Sequence, residues 1–245
     1  MESATKLFNE SLKLMISVNE KSFELKFQVD EDVVLYIQDI THRIISNILF
    51  VKDQKPTEGN CVPYRIILRS IISDIVEGCY TLSYVFPHRN EKDYNLHNDH
   101  IWRLNLNALC TKRKYIEEQI RFFQNLGKDI DVPDISKLYK DNPLYVNPQT
   151  NSFFKKDDYK PLAMANMFER LRMEDIFSIH YETIYSQYRL LSLTEHYAPI
   201  TREYSHQFEN DDIIYCHVAK AILFGCDPLS RIIDEWLTIG TFNKS

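Results

Sequence analysis

The chain has 245 residues, 44% of them hydrophobic, with 29 Lys and Arg against 35 Asp and Glu for a net charge of −6. That composition supports a sizeable core and argues against a surface devoted throughout to phosphate backbones, while leaving room for a local basic groove. Five glycines and nine prolines are too few for a turn-dense sandwich or barrel. No Gly-rich strand-to-helix turn of a dinucleotide fold occurs either, so an all-α reading leads.

The opening MESATKLFNESLKLM is amphipathic and acidic, unlike a secretory leader. Residues 5–18 show helical spacing through Leu7, Phe8, Leu12 and Met15, whereas FELKFQV at 23–29 alternates and leaves helix and short strand open. From 33 to 51, Val33, Val34, Ile37, Ile40, Ile44, Ile45, Ile48 and Leu49 share one broad face, with Asp30 or Asp32 placed to cap it. A Pro/Gly loop follows. The next helix is expected over 63–86, with Ile67, Leu68, Ile71, Ile72, Ile75, Cys79 and Leu82 as its apolar stripe. Arg65, Arg69, Ser73, Glu77, Tyr80 and Tyr84 line the other side.

After the polar loop PHRNEKDYNLHND, Asp99 can cap a helix that ends at Gly127, a natural C′ position. Prolines at 133, 143, 148 and 161 break the pattern over 128–161, which reads as an irregular excursion over the surface or a lid. Helical spacing resumes in PLAMANMFERLRM, then at about 181–197, 211–225 and 228–239, the last two separated at Asp227-Pro228. A single domain of seven or eight helices over 1–245 is expected. No apolar stretch approaches the roughly 18–20 residues that span a bilayer. Five scattered cysteines without a C-x-x-C pair fit reduced thiols, so a cytoplasmic protein with no membrane partner is expected.

The chemistry concentrates in YSQYRLLSLTEHYAP at 185–199. Seven residues are about two helical turns, so Arg189 and His196 project from nearly one face, together with Glu182, Tyr185 and Ser192. An arginine can neutralise a phosphodiester and a histidine can move a proton near neutral pH; the same spacing also arises in an ordinary polar helix face. Arg65, Arg69, Ser73 and Glu77 cannot be buried unpaired. If the two helices pack together, Glu77 or Asp74 could orient Arg189 or His196.

Arg189, six residues and His196 resemble the R-x(4–6)-H motif of the HEPN superfamily of helical bundles. The two segments ILRSIISDIVEGCYTLSYV and YRLLSLTEHYAP are similar to a bacterial helical family of unknown function, the DUF5677 type. Arg69 and Ser70 match that family's first motif, and Tyr188, Arg189, Ser192 and His196 its second. The likeness departs from the patterns at Ser73, Leu190 and Leu193. The resemblance implies an all-α, HEPN-like multi-helix bundle. By that resemblance the chain is expected to be a metal-independent, dimeric endoribonuclease of a bacterial stress, toxin–antitoxin or phage-defence system. RNA would be its substrate and a protein inhibitor or defence-system component a further partner. Arg189 and His196 would be catalytic, with Tyr185, Ser192, Arg69 and Glu77 positioning the substrate or supporting the pair. The alternative from another class is a non-catalytic helical interaction or sensing module.

Two further clusters carry groups capable of chemistry. His88, His97, Asp99 and His100 offer metal-type donors but lack the H-E-x-x-H spacing of a zinc protease, so no metal and no cofactor is expected. TKRKYIEEQIRFF at 111–123 interleaves Lys112, Arg113, Lys114 and Arg121 with Tyr115, Phe122 and Phe123. That suits nucleic acid or, with Glu117 and Glu118 interrupting the charge, an ordinary amphipathic helix.

Overall fold

The computed structural model describes residues 3–24, 31–53, 61–128, 143–193 and 212–242. Its secondary structure is almost entirely helical, as the composition implies. The chain divides into two compact units, one formed by residues 1–87 with 164–245 and the other by 88–163.

The first unit contains α1 (Ala4–Glu24), α2 (Glu31–Val51), α3 (Cys61–Tyr80), α5 (Met164–Met173), α6 (Tyr181–Leu193) and α7 (Asp212–Phe242). Helix α4 belongs to the second unit. Most of the periodic residues expected to form the core do so: Leu7, Phe8, Leu12 and Met15 on α1, and Val33, Val34, Ile37, Ile40, Ile44 and Ile48 on α2, are buried, but the α2 face is narrower than expected, with Ile45 half-buried and Leu49 exposed. Each buried side chain contributes roughly 1.5–3 kcal/mol relative to exposure. Residues 25–30, which hold most of the alternating FELKFQV stretch, lie outside the described residues.

Helix α3 is the hub, touching α2, α5, α6 and α7. Surrounded on several sides, it does not keep the two-faced division its sequence suggests. Arg65 is only 2% exposed, while Ile66 is 46% exposed. After Tyr80 the helix widens into a π-turn over Thr81–Val85, in which the Phe86 N–H donates to Thr81 O at 3.1 Å. The N–H that an α-turn would give Leu82 O is thereby used elsewhere. The next residue, Pro87, has no N–H to offer. The indole Nε1 of Trp236 fills the gap, donating to Leu82 O at 2.9 Å. A similar rescue closes α2: the hydroxyls of Tyr64 and Tyr215 both donate to Val51 O, at 2.6 and 2.9 Å, and touch each other.

Helix α7 corrects two expectations. It runs unbroken through Pro228, where two helices were expected. Cys226, Leu229, Ser230 and Ile233 on either side of the proline are all buried, so core packing holds the segment helical across the lost hydrogen bond. Close approach reinforces this, because a Cβ on Gly225 would sit 2.9 Å from Ile75 Cγ2 and one on Gly78 3.0 Å from Leu229 Cδ1. Second, Ile213–Thr238 is by length and composition apolar enough to cross a membrane, where no such stretch was expected. Its position against α1, α3 and α6 accounts for that apolarity as a core helix.

In the second unit, α4 (His100–Asn125) begins and ends where expected. Asp99 Oδ1 accepts from the Trp102 N–H at 2.9 Å, and Arg89 clasps the same carboxylate at 2.9 and 3.1 Å. At the other end Gly127 has φ +66°, and the Lys128 N–H returns to Phe123 O, a Schellman stop. The stretch read as a surface excursion instead supplies part of the core. Strands β1 (Val146–Asn147) and β2 (Ser152–Phe153) pair antiparallel, Val146 opposite Phe153. Tyr159, with Tyr145 and Phe154, packs on Trp102, Leu106 and Cys110. Residues 129–142 of that stretch lie outside the described residues.

Candidate functional site

Helix α6 is anchored by Ile184 and Leu191, both buried, so its opposite side must face outward. Glu182, Ser186, Arg189 and Leu193 are the exposed residues there, at i, i+4, i+7 and i+11. Arg189 therefore stands in solvent. Among the described residues it makes no hydrogen bond or ion pair, and no carboxylate there neutralises its charge. His196, its proposed partner, lies outside the described residues.

Tyr185 and Ser192 are half-buried at the edge of this stripe and do not share its centre. The Tyr185 ring meets Phe168 edge-on at 5.1 Å and stacks on Tyr181 at 5.7 Å, which fixes its plane. Tyr188 leans on the same Phe168 at 5.2 Å. The Ser192 hydroxyl donates to Tyr188 O at 2.8 Å, leaving its oxygen lone pairs as acceptors. The exposed companions of Arg189 include Ser186 and Leu193, the latter expected only as a departure from the family pattern, and the 100° projection places both within about 60° of it.

Helix α3 packs against α6, so the helices bearing Arg69 and Arg189 are neighbours. The acids expected to steer the Arg–His pair are engaged elsewhere. Asp74 Oδ1 lies 2.9 Å from Arg43 Nη2 on α2, and Glu77 lies 3.8 Å from the same nitrogen. Burial raises the Asp74 carboxyl to about 6; Arg43 opposes this shift and Glu77 adds to it. Glu77 is raised for the same leading reason. Asp74 and Glu77 thus form an inter-helix network with Arg43. Nothing in the spacing of α3 signals this, because Arg43 comes from a separate helix. Arg69 is half-buried on α3.

A cavity of about 540 Å³ lies elsewhere in this unit, between the π-turn, residues 174–176 and α7, with Glu174, Asp175, Arg231, Glu235 and Trp236 in its walls. Arg189, Tyr185 and Ser192 do not line it. The histidine cluster of the other unit is dispersed. His97 leans at a tilt on Trp102 and Phe154, ring centroids 5.0 and 5.2 Å away, and His88 pairs with Glu91. His100 is buried, which lowers its pKa to about 4. Among the described residues, no three His, Cys, Asp or Glu side chains come together as a metal would require. Cys79 and Cys226 are buried free thiols, and burial raises both pKa values well above the ordinary range, as expected of unreactive packing cysteines.

Comparison with protein-family models, curated proteins and solved structures found no match for this chain. The functional reading therefore rests on the residues themselves.

Proposed function

We propose that the chain is an HEPN-like, metal-independent endoribonuclease acting as a homodimer in the cytoplasm, in bacterial stress or phage defence. The observation that carries the proposal is Arg189: an exposed guanidinium with no carboxylate among the described residues to neutralise it, on a helix whose opposite face is fixed in the core. An arginine held this way offers its full charge and planar fork to a phosphodiester. Tyr185, its ring set by Phe168, and Ser192 flank it as positioning groups, and Arg69 on the neighbouring α3 supports the site, whereas Glu77 is committed to Arg43.

In this reaction the substrate's 2′-hydroxyl attacks the adjacent phosphorus. The new P–O2′ bond forms as the P–O5′ bond breaks, leaving a cyclic phosphate and a 5′-hydroxyl. Arg189 stabilises the charge gathering on the phosphoryl oxygens. His196 acts as base toward the 2′-hydroxyl or as acid toward the departing 5′ oxygen; its assignment rests on the seven-residue spacing.

The purified chain is expected to cleave single-stranded RNA in the presence of EDTA. Arg189→Ala and His196→Ala should each lower the rate by about 100-fold or more, the usual contribution of such groups. Wild-type protein that leaves RNA intact, or variants that cleave as fast as wild type, would overturn the proposal. RNA or a protein held equally well by both variants without cleavage would identify a non-catalytic interaction module instead.

A further inference from the structure

The outward face of α4 presents a second surface. The helix spends its inner face on Trp102, Leu106 and Cys110, against the hairpin and Tyr159. On the opposite side Tyr115, Phe122 and Leu126 stand 61%, 56% and 55% exposed. Tyr115 and Phe122 are seven residues apart, about 10 Å along the axis and nearly in line. Phe122 is braced edge-on by Phe123 at 5.5 Å. Open aromatic faces of this size mark a recognition surface more often than a solvated one.

The surrounding charge identifies what such rings would receive. Lys112, Lys114 and Arg121 are exposed around them. In the sequence Glu117 and Glu118 interrupt this positive run, but the structure removes one of the two interruptions. Glu117 lies 3.5 Å from Arg113, whose guanidinium also sits 6.0 Å from the Phe153 ring on the hairpin side. Along this helix, three exposed cations then face one exposed acid, Glu118. The imbalance extends to the whole unit: residues 88–163 contain 13 Lys and Arg against 11 Asp and Glu, whereas the rest of the chain has 16 against 24. A protein-docking face would be expected to exclude lysine from its centre. Flat rings set among lysines and an arginine match the bases and phosphates of a single strand. A duplex hides the base faces that such rings would stack on.

We propose that this strip is a second RNA contact, in which bases stack on Tyr115 and Phe122 while Lys112, Lys114 and Arg121 meet the phosphates. The choice of RNA as ligand rests on the ribonuclease reading, but the surface is tested separately from the cleavage site. The probe is a fluorescent 2′-O-methyl oligouridine, which lacks the attacking hydroxyl and stays intact, titrated with the full chain and followed by anisotropy. Tyr115→Ala and Phe122→Ala are each expected to weaken binding about 5- to 150-fold, the range for loss of one stacked base, and Tyr115→Phe to retain it. Lys112→Gln with Lys114→Gln should reduce the slope of log affinity against log salt by about 1.4. All of these side chains are exposed, so the variants are expected to fold, which circular dichroism checks.

An oligouridine that does not bind, or that binds the Tyr115→Ala/Phe122→Ala double variant as tightly as wild type, overturns the proposal. So does a double variant that loses self-association in sedimentation while binding the probe unchanged, since the strip is then a contact between copies. Cleavage is scored independently. Binding through Tyr115 and Phe122 without any RNA cleavage removes the ribonuclease reading and leaves the platform standing. Arg189-dependent cleavage with unaltered KM and probe binding in the double variant does the reverse.

Discussion

The unit built from α1–α3 and α5–α7 fills its interior with isoleucine, leucine and valine drawn from every one of those helices. The 88–163 unit has one long helix and closes it with rings: Trp102, Tyr145, Phe154 and Tyr159, with His97 wedged among them. The first arrangement spreads its stabilisation over many interchangeable aliphatic contacts. The second depends on a few large residues and on the Arg89–Asp99 clasp that starts its helix. A core of many small contributions tolerates a single loss; one built from a handful of rings does not.

The largest test of that contrast removes the central ring. Trp102 is 3% exposed and its Nε1 donates to Leu144 O at 3.2 Å. Trp102→Ala should cost about 3–5 kcal/mol. Hydrogen exchange should show protection lost along α4 while α1–α3 keep theirs. Equal loss in both units would break the comparison.

The second test uses pH, because each unit buries a titratable group and the two act in opposite senses. The Asp74 carboxyl is raised from 3.8 to about 6, so its folded form prefers the proton. Stability from this group is present below pH 3.8 and is lost as pH rises through 6. His100 is lowered from 6.5 to about 4, so its folded form prefers to be neutral. That stability is present above 6.5 and is lost as pH falls through 4. Each swing amounts to about 3 kcal/mol. In urea unfolding at a series of pH values, Asp74→Asn should gain on wild type as pH climbs from 4 to 6. His100→Gln should remove the decline that wild type shows as pH drops over the same interval. Variants that track wild type at every pH would show that neither group is held in the protonation state argued for it.

The smallest effect lies within the six-helix unit. A Cβ on Gly225 would press on the branched Cγ2 of Ile75, whereas the tightest neighbour of one on Gly78 is the far end of Leu229, with Ile40 Cγ1 at ordinary contact distance. Overpacking of about 1–3 kcal/mol, less the gain of about 1 kcal/mol from replacing glycine in a helix, leaves Gly225→Ala destabilised by about 1 kcal/mol. Gly78→Ala should be close to neutral. Urea midpoints rank the pair, and the reverse order would mean that α3 and α7 do not cross as tightly as described.

Helix periodicity located α2, α3 and α4 closely, and Asp99 and Gly127 act as the caps their chemistry implies, because capping is decided within a few residues of chain. Features that depend on distant partners were not legible. Pro228 reads as a break until Leu229 and Ile233 are seen in the core, and Asp74 and Glu77 read as free to serve Arg189 until Arg43 arrives from α2. At the candidate site, the 100° step sets Arg189 across the helix from the buried Ile184 and Leu191. It placed Tyr185 and Ser192 too centrally, since their half-burial is set by Phe168 and the neighbouring helices.

The π-turn at Thr81–Val85 holds one residue more than α-helical winding would. That extra residue turns the chain by about 100° before it leaves the helix, and Phe86 lands between Tyr36 and Trp236, with ring centroids at 5.6 and 6.3 Å. Deleting one residue between Leu82 and Phe86 would turn the Phe86-to-Thr81 bond into an ordinary α-turn and swing Phe86 out of its aromatic slot, while Leu82 O, now facing the N–H-less Pro87, would still depend on the Trp236 indole. The wide turn therefore works as a phase adjuster: it resets which way the chain faces as it leaves the helix, and a tryptophan roughly 150 positions later in the sequence holds the new phase.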